Sequence, residues 1–212
     1  MSESLSNMRQ EIEVKFKNVD LADLRKIVHA RGGKFLGCRF ERNIVFDDAA
    51  RTLRARGVLL RLRDDGRFIL TVKAPPDVPP PPGFKIRTEY ESEVSDFAAL
   101  RSGLRALGYE EALRYEKVRE EWLLGDCHVC LDHLSFGDFC EIEGQPEAIR
   151  ACAAELGLDW KDSSTANYHR LYTEWREGRG LLPEDSFVFA GEARQAAREL
   201  CPAIFSPLDP LP

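Results

Sequence analysis

Between residues 9 and 144 the chain alternates charged with apolar side chains in one segment after another. Glu11, Glu13 and Lys15 interleave with Ile12, Val14 and Phe16; Arg61 and Arg63 with Leu60 and Leu62; Glu141 and Glu143 with Cys140 and Ile142. Lys85, Arg87, Glu89 and Glu91 form a further set, and Lys117, Arg119 and Glu121 another. A period of two marks strands, because successive side chains of an extended chain point to opposite faces. Strands are therefore expected at residues 9–17, 39–47, 58–64, 67–73, 84–94, 114–124, 127–134 and 138–144. Asp64-Asp65-Gly66 and Leu124-Gly125-Asp126 read as hairpin connections. So many antiparallel strands make a barrel or a sandwich.

Two helical patterns interrupt the series, at residues 20–31 and 95–107. Each has one apolar face, Leu21, Leu24, Ile27 and Val28 in the first and Phe97, Leu100, Leu104 and Leu107 in the second, and each stops at glycine. Helices at 146–156 and 163–177 follow the last strand. The expected domain is 8–177, with 178–212 a C-terminal tail that looks like an appendage and carries one short helix at 192–200, between Gly191 and Pro202. Residues 75–82 are rich in proline, cannot donate to a ladder, and read as a stiff hairpin loop rather than an SH3-type ligand.

The strand pattern has two readings. Charged faces of an open sheet commonly face water. Here the opposite faces are so apolar that they too need covering, and the helices can do that from outside. The charged faces of a closed barrel would then point into a lumen. Burying charges costs several kcal/mol each unless they are paired or bind ions, so such a lumen implies a ligand. The carboxylates of Glu11, Glu13, Glu141 and Glu143 suit a hard cation, and the Arg and Lys set supplies donors for an anion. A polyanion chelated to Mg²⁺ or Mn²⁺ satisfies both; a self-neutralising charge network is the alternative.

Composition narrows the setting. The 212 residues are 43% hydrophobic and 31% charged, enough for one sizeable core. There is no apolar run of membrane-spanning length and the N-terminus is polar, so a cytoplasmic location, with no membrane partner, is expected. A net charge of −6 argues against a nucleic-acid partner. The six cysteines are scattered and are expected to be reduced thiols. Cys127 and Cys130, with His128 and His133 nearby, suggest half a zinc site, but a strand puts the two thiols on opposite faces and no second pair follows. His29, His128 and His169 read as packing or surface residues.

The order of these pieces resembles the CYTH family, the triphosphate tunnel metalloenzymes, over residues 10–172. The family's Glu-x-Glu-x-Lys opening is similar to Glu11, Glu13 and Lys15; its Leu-Arg-x-Arg strand to residues 60–63; its Thr-x-Lys strand to Thr71 and Lys73. Its Lys-x-Arg-x-Glu-x-Glu strand is similar to residues 85–91, its paired cations to Lys117 and Arg119, and its closing strands to Leu131-Asp132 and residues 137–143. One such motif is weak, but six in order are specific. The second strand departs from the pattern. Many members carry Gln-x-Asp-x-Tyr-x-Asp there, whereas this chain has Glu41, Asn43, Val45 and Asp47, so no catalytic role is assigned to it.

The resemblance implies an α+β fold, an eight-stranded antiparallel β barrel forming a triphosphate tunnel with helices packed outside. It implies metal on Glu11, Glu13, Glu141 and Glu143, with Glu89, Glu91 and Asp132 as further ligands. It assigns phosphate binding to Lys15, Arg61, Arg63, Lys73, Lys85, Arg87, Lys117 and Arg119, and catalytic roles to Glu11, Glu13, Lys15 and Lys73. Tyr168 and Tyr172 stand four apart on the last helix, where such tyrosines resemble a helix lying across the tunnel; core packing is the plain alternative. The expected reaction is metal-dependent hydrolysis of a triphosphate, inorganic tripolyphosphate first. Alternatives are a class IV adenylate cyclase and a noncatalytic polyphosphate-binding module. Expected partners are a small triphosphate (tripolyphosphate, ATP or thiamine triphosphate) and, as one option, a second copy in a homodimer.

Overall fold

The computed structural model describes residues 8–201; Pro202 and the end of the expected tail lie outside the described residues. In chain order the elements are β1 (Met8–Phe16), α1 (Leu21–Ala30), β2 (Lys34–Asp47), α2 (Thr52–Ala55), β3 (Leu59–Asp64), β4 (Phe68–Ala74), β5 (Lys85–Glu93), α3 (Phe97–Ala106), β6 (Glu110–Leu124), β7 (Cys127–Leu134), β8 (Gly137–Glu143), α4 (Pro146–Glu155), β9 (Ser163–Ser164), α5 (Tyr168–Glu177) and α6 (Gly191–Glu199). Neighbouring strands follow the order β5-β4-β3-β2-β6-β7-β8-β1, and β1 also pairs with β5. Every pair is antiparallel and the ring closes, giving the eight-stranded barrel.

The outer apolar faces meet helices. Val14, Phe16, Val129 and Ile142 pack against Leu24 and Val28 of α1 and Ile149, Cys152 and Ala153 of α4. Ile44, Phe46, Leu60 and Leu62 pack against Phe97 and Leu104 of α3. Fully burying a side chain of this kind contributes about 1.5–3 kcal/mol, so these helices fix which strand face looks outward. Asp20, Asp96 and Asn167 cap α1, α3 and α5, each accepting from a backbone N–H three residues on.

Several boundaries differ from the sequence reading for local reasons. Strand β2 starts at Lys34, not at residue 39, because an irregularity between Phe35 and Gly37 breaks the alternation. The helix expected at 163–177 begins only at Tyr168, since Ser163 and Ser164 pair with Phe16 and Lys15 where β5 leaves β1, and Asn167 then caps. Helix α2 follows Asp47, whose carboxylate accepts from the backbone N–H groups of Leu53 and Arg54.

The expectation of six free thiols is corrected. Cys38 on β2 and Cys201 at the end of α6 form a disulfide across 163 residues, a pairing that spacing alone does not suggest. Cys127, Cys130, Cys140 and Cys152 are free and buried. Cys127 lies in the outer core beside Cys152, whereas Cys130 stands opposite Glu141 on the inner face. Residues 184–201 are not loosely appended: Phe187 and Phe189 are buried against the barrel, and α6 covers Phe40 and Val118 through Ala197.

Candidate active site

Direct cross-strand partners at period two place four carboxylates on one patch of the inner wall. Glu13 faces Glu143 and Lys15 faces Glu141 across β1 and β8, and Glu11 extends the row. One carboxylate oxygen from each of Glu11, Glu13, Glu141 and Glu143 lies within 4.8 Å of the others. All four are at most 8% exposed. An all-oxygen donor set of this density fits Mg²⁺ or Mn²⁺.

Lysines fill the space between the carboxylates. Lys15 Nζ donates to Glu13 at 2.7 Å and pairs with Glu141 at 2.5 Å. Lys85 reaches the same Glu13 oxygen at 2.5 Å, and Lys73 holds Glu11 at 2.6 Å and Glu89 at 3.1 Å. On the facing wall Arg119 grips Asp132 with two bonds of 2.7 and 2.6 Å and reaches Glu141 at 2.9 Å. Lys117 lies 3.3 Å from Asp132 and 3.7 Å from Glu41. Arg61 donates to Tyr115 Oη and Thr71 Oγ1, both at 3.1 Å.

One end of the lumen is sealed. Tyr168 of α5 donates to Asp132 at 2.6 Å, with Lys15 and Lys117 5.0 and 5.6 Å from its ring centre. Behind it Phe136, Phe139, Tyr172 and Phe187 form an aromatic cluster. The other end opens among Arg9, Arg39, Glu91 and Glu121. In the open half His128 stands opposite Glu143 on the inner face, while the inward-facing rings of Tyr115 and Phe139 belong to the sealed end.

The electrostatics divide the cluster. Burial and Glu141 push the Glu13 carboxyl up, but Lys15, Lys85 and Lys73 outweigh them and hold it at about 2. Burial opposes ionisation of Glu141 as well, yet Lys15, Arg119 and Lys117 keep it far below the usual carboxylate range. Burial and the charges of Glu141, Glu11 and Glu13 outweigh Arg119 at Glu143 and push it up to about 8; the exposed Arg9 also lies 3.6 Å from it. Nearby cations thus keep Glu13 and Glu141 ionised, while Glu143 is the one of these carboxyls that burial and its acidic neighbours hold toward the protonated form.

Glu11, Glu13, Glu141 and Glu143 come together, whereas the three further carboxylates named from sequence stand apart and are held by cations. Glu89 lies against Lys73; Glu91 accepts from Thr71 at 2.8 Å and approaches Arg61 and Arg63; Asp132, fully buried, is saturated by Arg119, Lys117 and Tyr168. Lys15, Arg61, Lys73, Lys85, Lys117 and Arg119 face the lumen around the cluster. Arg63 sits nearer the mouth with Asp65 and Glu91, and Arg87, half-buried, carries no ion pair among the described residues. Two further lumen residues were given no role from sequence: Glu41, noted only as a departure from the family pattern, and Tyr115. Glu41 is 1% exposed and is held far below the usual range, against burial, by Lys117, Arg63, Arg119 and Arg61. Its place on the face of Asn43 was the available signal. Tyr115, two positions before Lys117 on β6, shares that residue's inward face.

The CYTH domain model matches residues 9–160. The chain is a CYTH domain enzyme. This CYTH protein is 30% identical over 135 residues to MJ0240 of Methanocaldococcus jannaschii, which is provisionally named an adenylate cyclase; the match covers 63% of this chain and 75% of that one. Its fold is similar to that of the PH1012 protein of Pyrococcus horikoshii, at TM-score 0.62 and 27% identity, covering 74% of this chain and 96% of that one. It is also similar to HpAC1 from Hippeastrum, described as an adenylyl cyclase by provisional name with a dominant triphosphatase activity, at TM-score 0.56 and 19% identity over 82% of this chain and 97% of that one. No helix among the described residues is long and apolar enough to cross a membrane.

Proposed function

We propose that this CYTH enzyme hydrolyses a linear triphosphate, inorganic tripolyphosphate first, with a divalent cation held by Glu11, Glu13, Glu141 and Glu143. The observation that carries this reading is the four-carboxylate cluster, within 4.8 Å, set among buried lysines and arginines inside a barrel sealed at one end. Bound there, Mg²⁺ or Mn²⁺ would neutralise phosphate charge and lower the pKa of water.

The chain's own residues do the rest. Lys15, Lys73 and Lys85 are paired to carboxylates of the cluster and bring positive charge to the phosphates as point charges. Arg61 and Arg119 offer planar forks for phosphate oxygens. Asp132 fixes Arg119 and Lys117, and Tyr168 fixes Asp132, so the clamp is rigid before substrate arrives. The sealed end excludes water from one side, so the attacking water approaches a terminal phosphorus from the other.

The 30% identity with MJ0240 favours a second reading, in which the ATP 3′-hydroxyl attacks the α-phosphorus and pyrophosphate leaves. Incubation with tripolyphosphate, ATP and thiamine triphosphate, each with Mg²⁺ or Mn²⁺, separates the two by assay of phosphate, pyrophosphate and cyclic AMP. Phosphate release from tripolyphosphate is expected. Cyclic AMP and pyrophosphate from ATP, with tripolyphosphate untouched, would overturn the hydrolase reading. Glu13→Gln is expected to abolish metal-dependent turnover while leaving a folded protein, and undiminished turnover would remove Glu13 from the metal set.

A further inference from the structure

The family match ends at residue 160, yet a later segment reaches the site. Ser186, Phe187 and Phe189 run alongside β6: Phe187 N–H donates to Arg114 O at 3.0 Å, Glu116 N–H donates to Phe187 O at 3.1 Å, and Ser186 Oγ accepts from Arg114 N–H at 3.0 Å. The pairing is a parallel bridge between Tyr115 and Phe187. Past it, Phe189 N–H and Arg194 both donate to the buried Glu116 carboxylate, and the Cys38–Cys201 disulfide ties down the far end.

This attachment sets a ring of the sealing cluster against the lumen-facing Tyr115. The Phe187 ring, 2% exposed, stacks on Tyr115 with centres 5.1 Å apart and planes 20° from parallel. Phe136 and Tyr172 box it in at 5.4 and 5.1 Å. Tyr115 Oη in turn accepts from Arg61 Nη1 at 3.1 Å. Among the described residues Nη1 has Tyr115 as its sole partner, whereas Nη2 donates to Thr71 at 3.1 Å and lies 3.5 Å from Glu91, and Nε has no partner. Arg61 is a long side chain whose order depends on such contacts.

We propose that residues 186–189 are a working part of the site, with Phe187 and Tyr115 acting as positioning residues that hold the Arg61 guanidinium toward the phosphates. The proposal rests on the triphosphate reading for the identity of the ligand, but the ordering of Arg61 does not depend on it. The stacked Phe187 fixes the plane of Tyr115, and that plane fixes where the phenol oxygen meets Arg61. Without it the guanidinium swings among its remaining partners and meets the phosphates in the wrong orientation.

The test is a double-variant cycle of Tyr115→Phe and Phe187→Ala on the full chain. Tyr115→Phe keeps the ring and its stack and removes only the hydroxyl. Calorimetric titration with tripolyphosphate and Mg²⁺ should show binding weakened about ten-fold by either variant, the loss expected for one hydrogen bond to a charged group. In the Tyr115→Phe background, Phe187→Ala should weaken binding no further, while its cost in urea stability stays the same in both backgrounds. Nitrogen NMR of the Arg61 guanidinium, without ligand, should show restricted rotation in the parent and averaged Nη signals in each variant. An unchanged Arg61 spectrum together with additive losses would overturn the positioning role. Averaged Arg61 signals with no tripolyphosphate binding by the parent would uphold it and overturn the substrate reading instead.

Discussion

In the proposed four-glutamate metal site, Glu143 makes cation binding depend on pH in a calculable way. Its carboxyl is raised to about 8 by burial and by the neighbouring Glu141 and Glu11, against Arg119, while Glu13 and Glu141 stay ionised throughout the physiological range. A cation held by all four glutamates requires Glu143 to lose its proton. A group with a pKa near 8 carries a proton in nearly all molecules at pH 6.5 and in about a quarter at pH 8.5, so apparent affinity should rise about 25-fold over that range, or ~1.9 kcal/mol. Titration calorimetry with Mg²⁺ alone, in buffers of different ionisation enthalpy, measures this directly. Close to one proton should be released per cation at pH 6.5. Glu143→Gln should flatten the pH dependence. A dissociation constant independent of pH, with no proton passed to the buffer, would refute the reasoning. The same group affects the metal-free protein. Because its folded pKa lies above the ordinary glutamate value of 4.5, its stabilising contribution is complete below that pH and is lost as pH rises toward 8. The melting temperature of the metal-free protein should therefore fall across pH 5 to 8, and added Mg²⁺ should reverse the fall.

Three further outcomes follow from buried pairs and the disulfide. Arg119→Met leaves Asp132 and Glu141 without their main guanidinium partner, and urea unfolding should show a loss of about 3–5 kcal/mol; a loss below about 1 kcal/mol would mean that Lys117 and Lys15 suffice. Tyr168→Phe removes one hydrogen bond to the fully buried Asp132 and should cost about 1–3 kcal/mol by the same measurement, with unchanged stability counting against the geometry of the sealed end. Cys201→Ser opens a loop closed over 163 residues, for which chain entropy sets a ceiling of about 5 kcal/mol; a melting temperature insensitive to both this change and reducing agent would show that α6 needs no covalent tie.

The strands were legible because alternation is local. Ile12, Val14 and Phe16 on one side and Glu11, Glu13 and Lys15 on the other specify an extended segment with two unlike faces, whatever it pairs with. Helix ends were legible for the same reason, since Asp20 and Asp96 act within one turn. Alternation failed where a residue broke the period, as at Gly37, or where pairing partners were distant, as with Ser163 and Ser164 against β1. Glu41 and Tyr115 were visible as inward-facing by their spacing, but their importance depended on which cations stood opposite. Phe187, Cys38 and Cys201 gave no periodic signal at all.

The sequence by itself determined that this chain has charged strand faces backed by apolar ones, and the order of those faces carries the CYTH pattern. It could not say that Glu13 meets Glu143, that Asp132 is saturated by Arg119, Lys117 and Tyr168, or that a phenylalanine beyond the matched residues 9–160 stacks on Tyr115. Those facts depend on barrel closure and register, which set the distances between side chains far apart in sequence. A period of two assigns each residue a face, but the ion pairs, the raised carboxyl of Glu143 and the sealed end arise only when eight such faces enclose one volume.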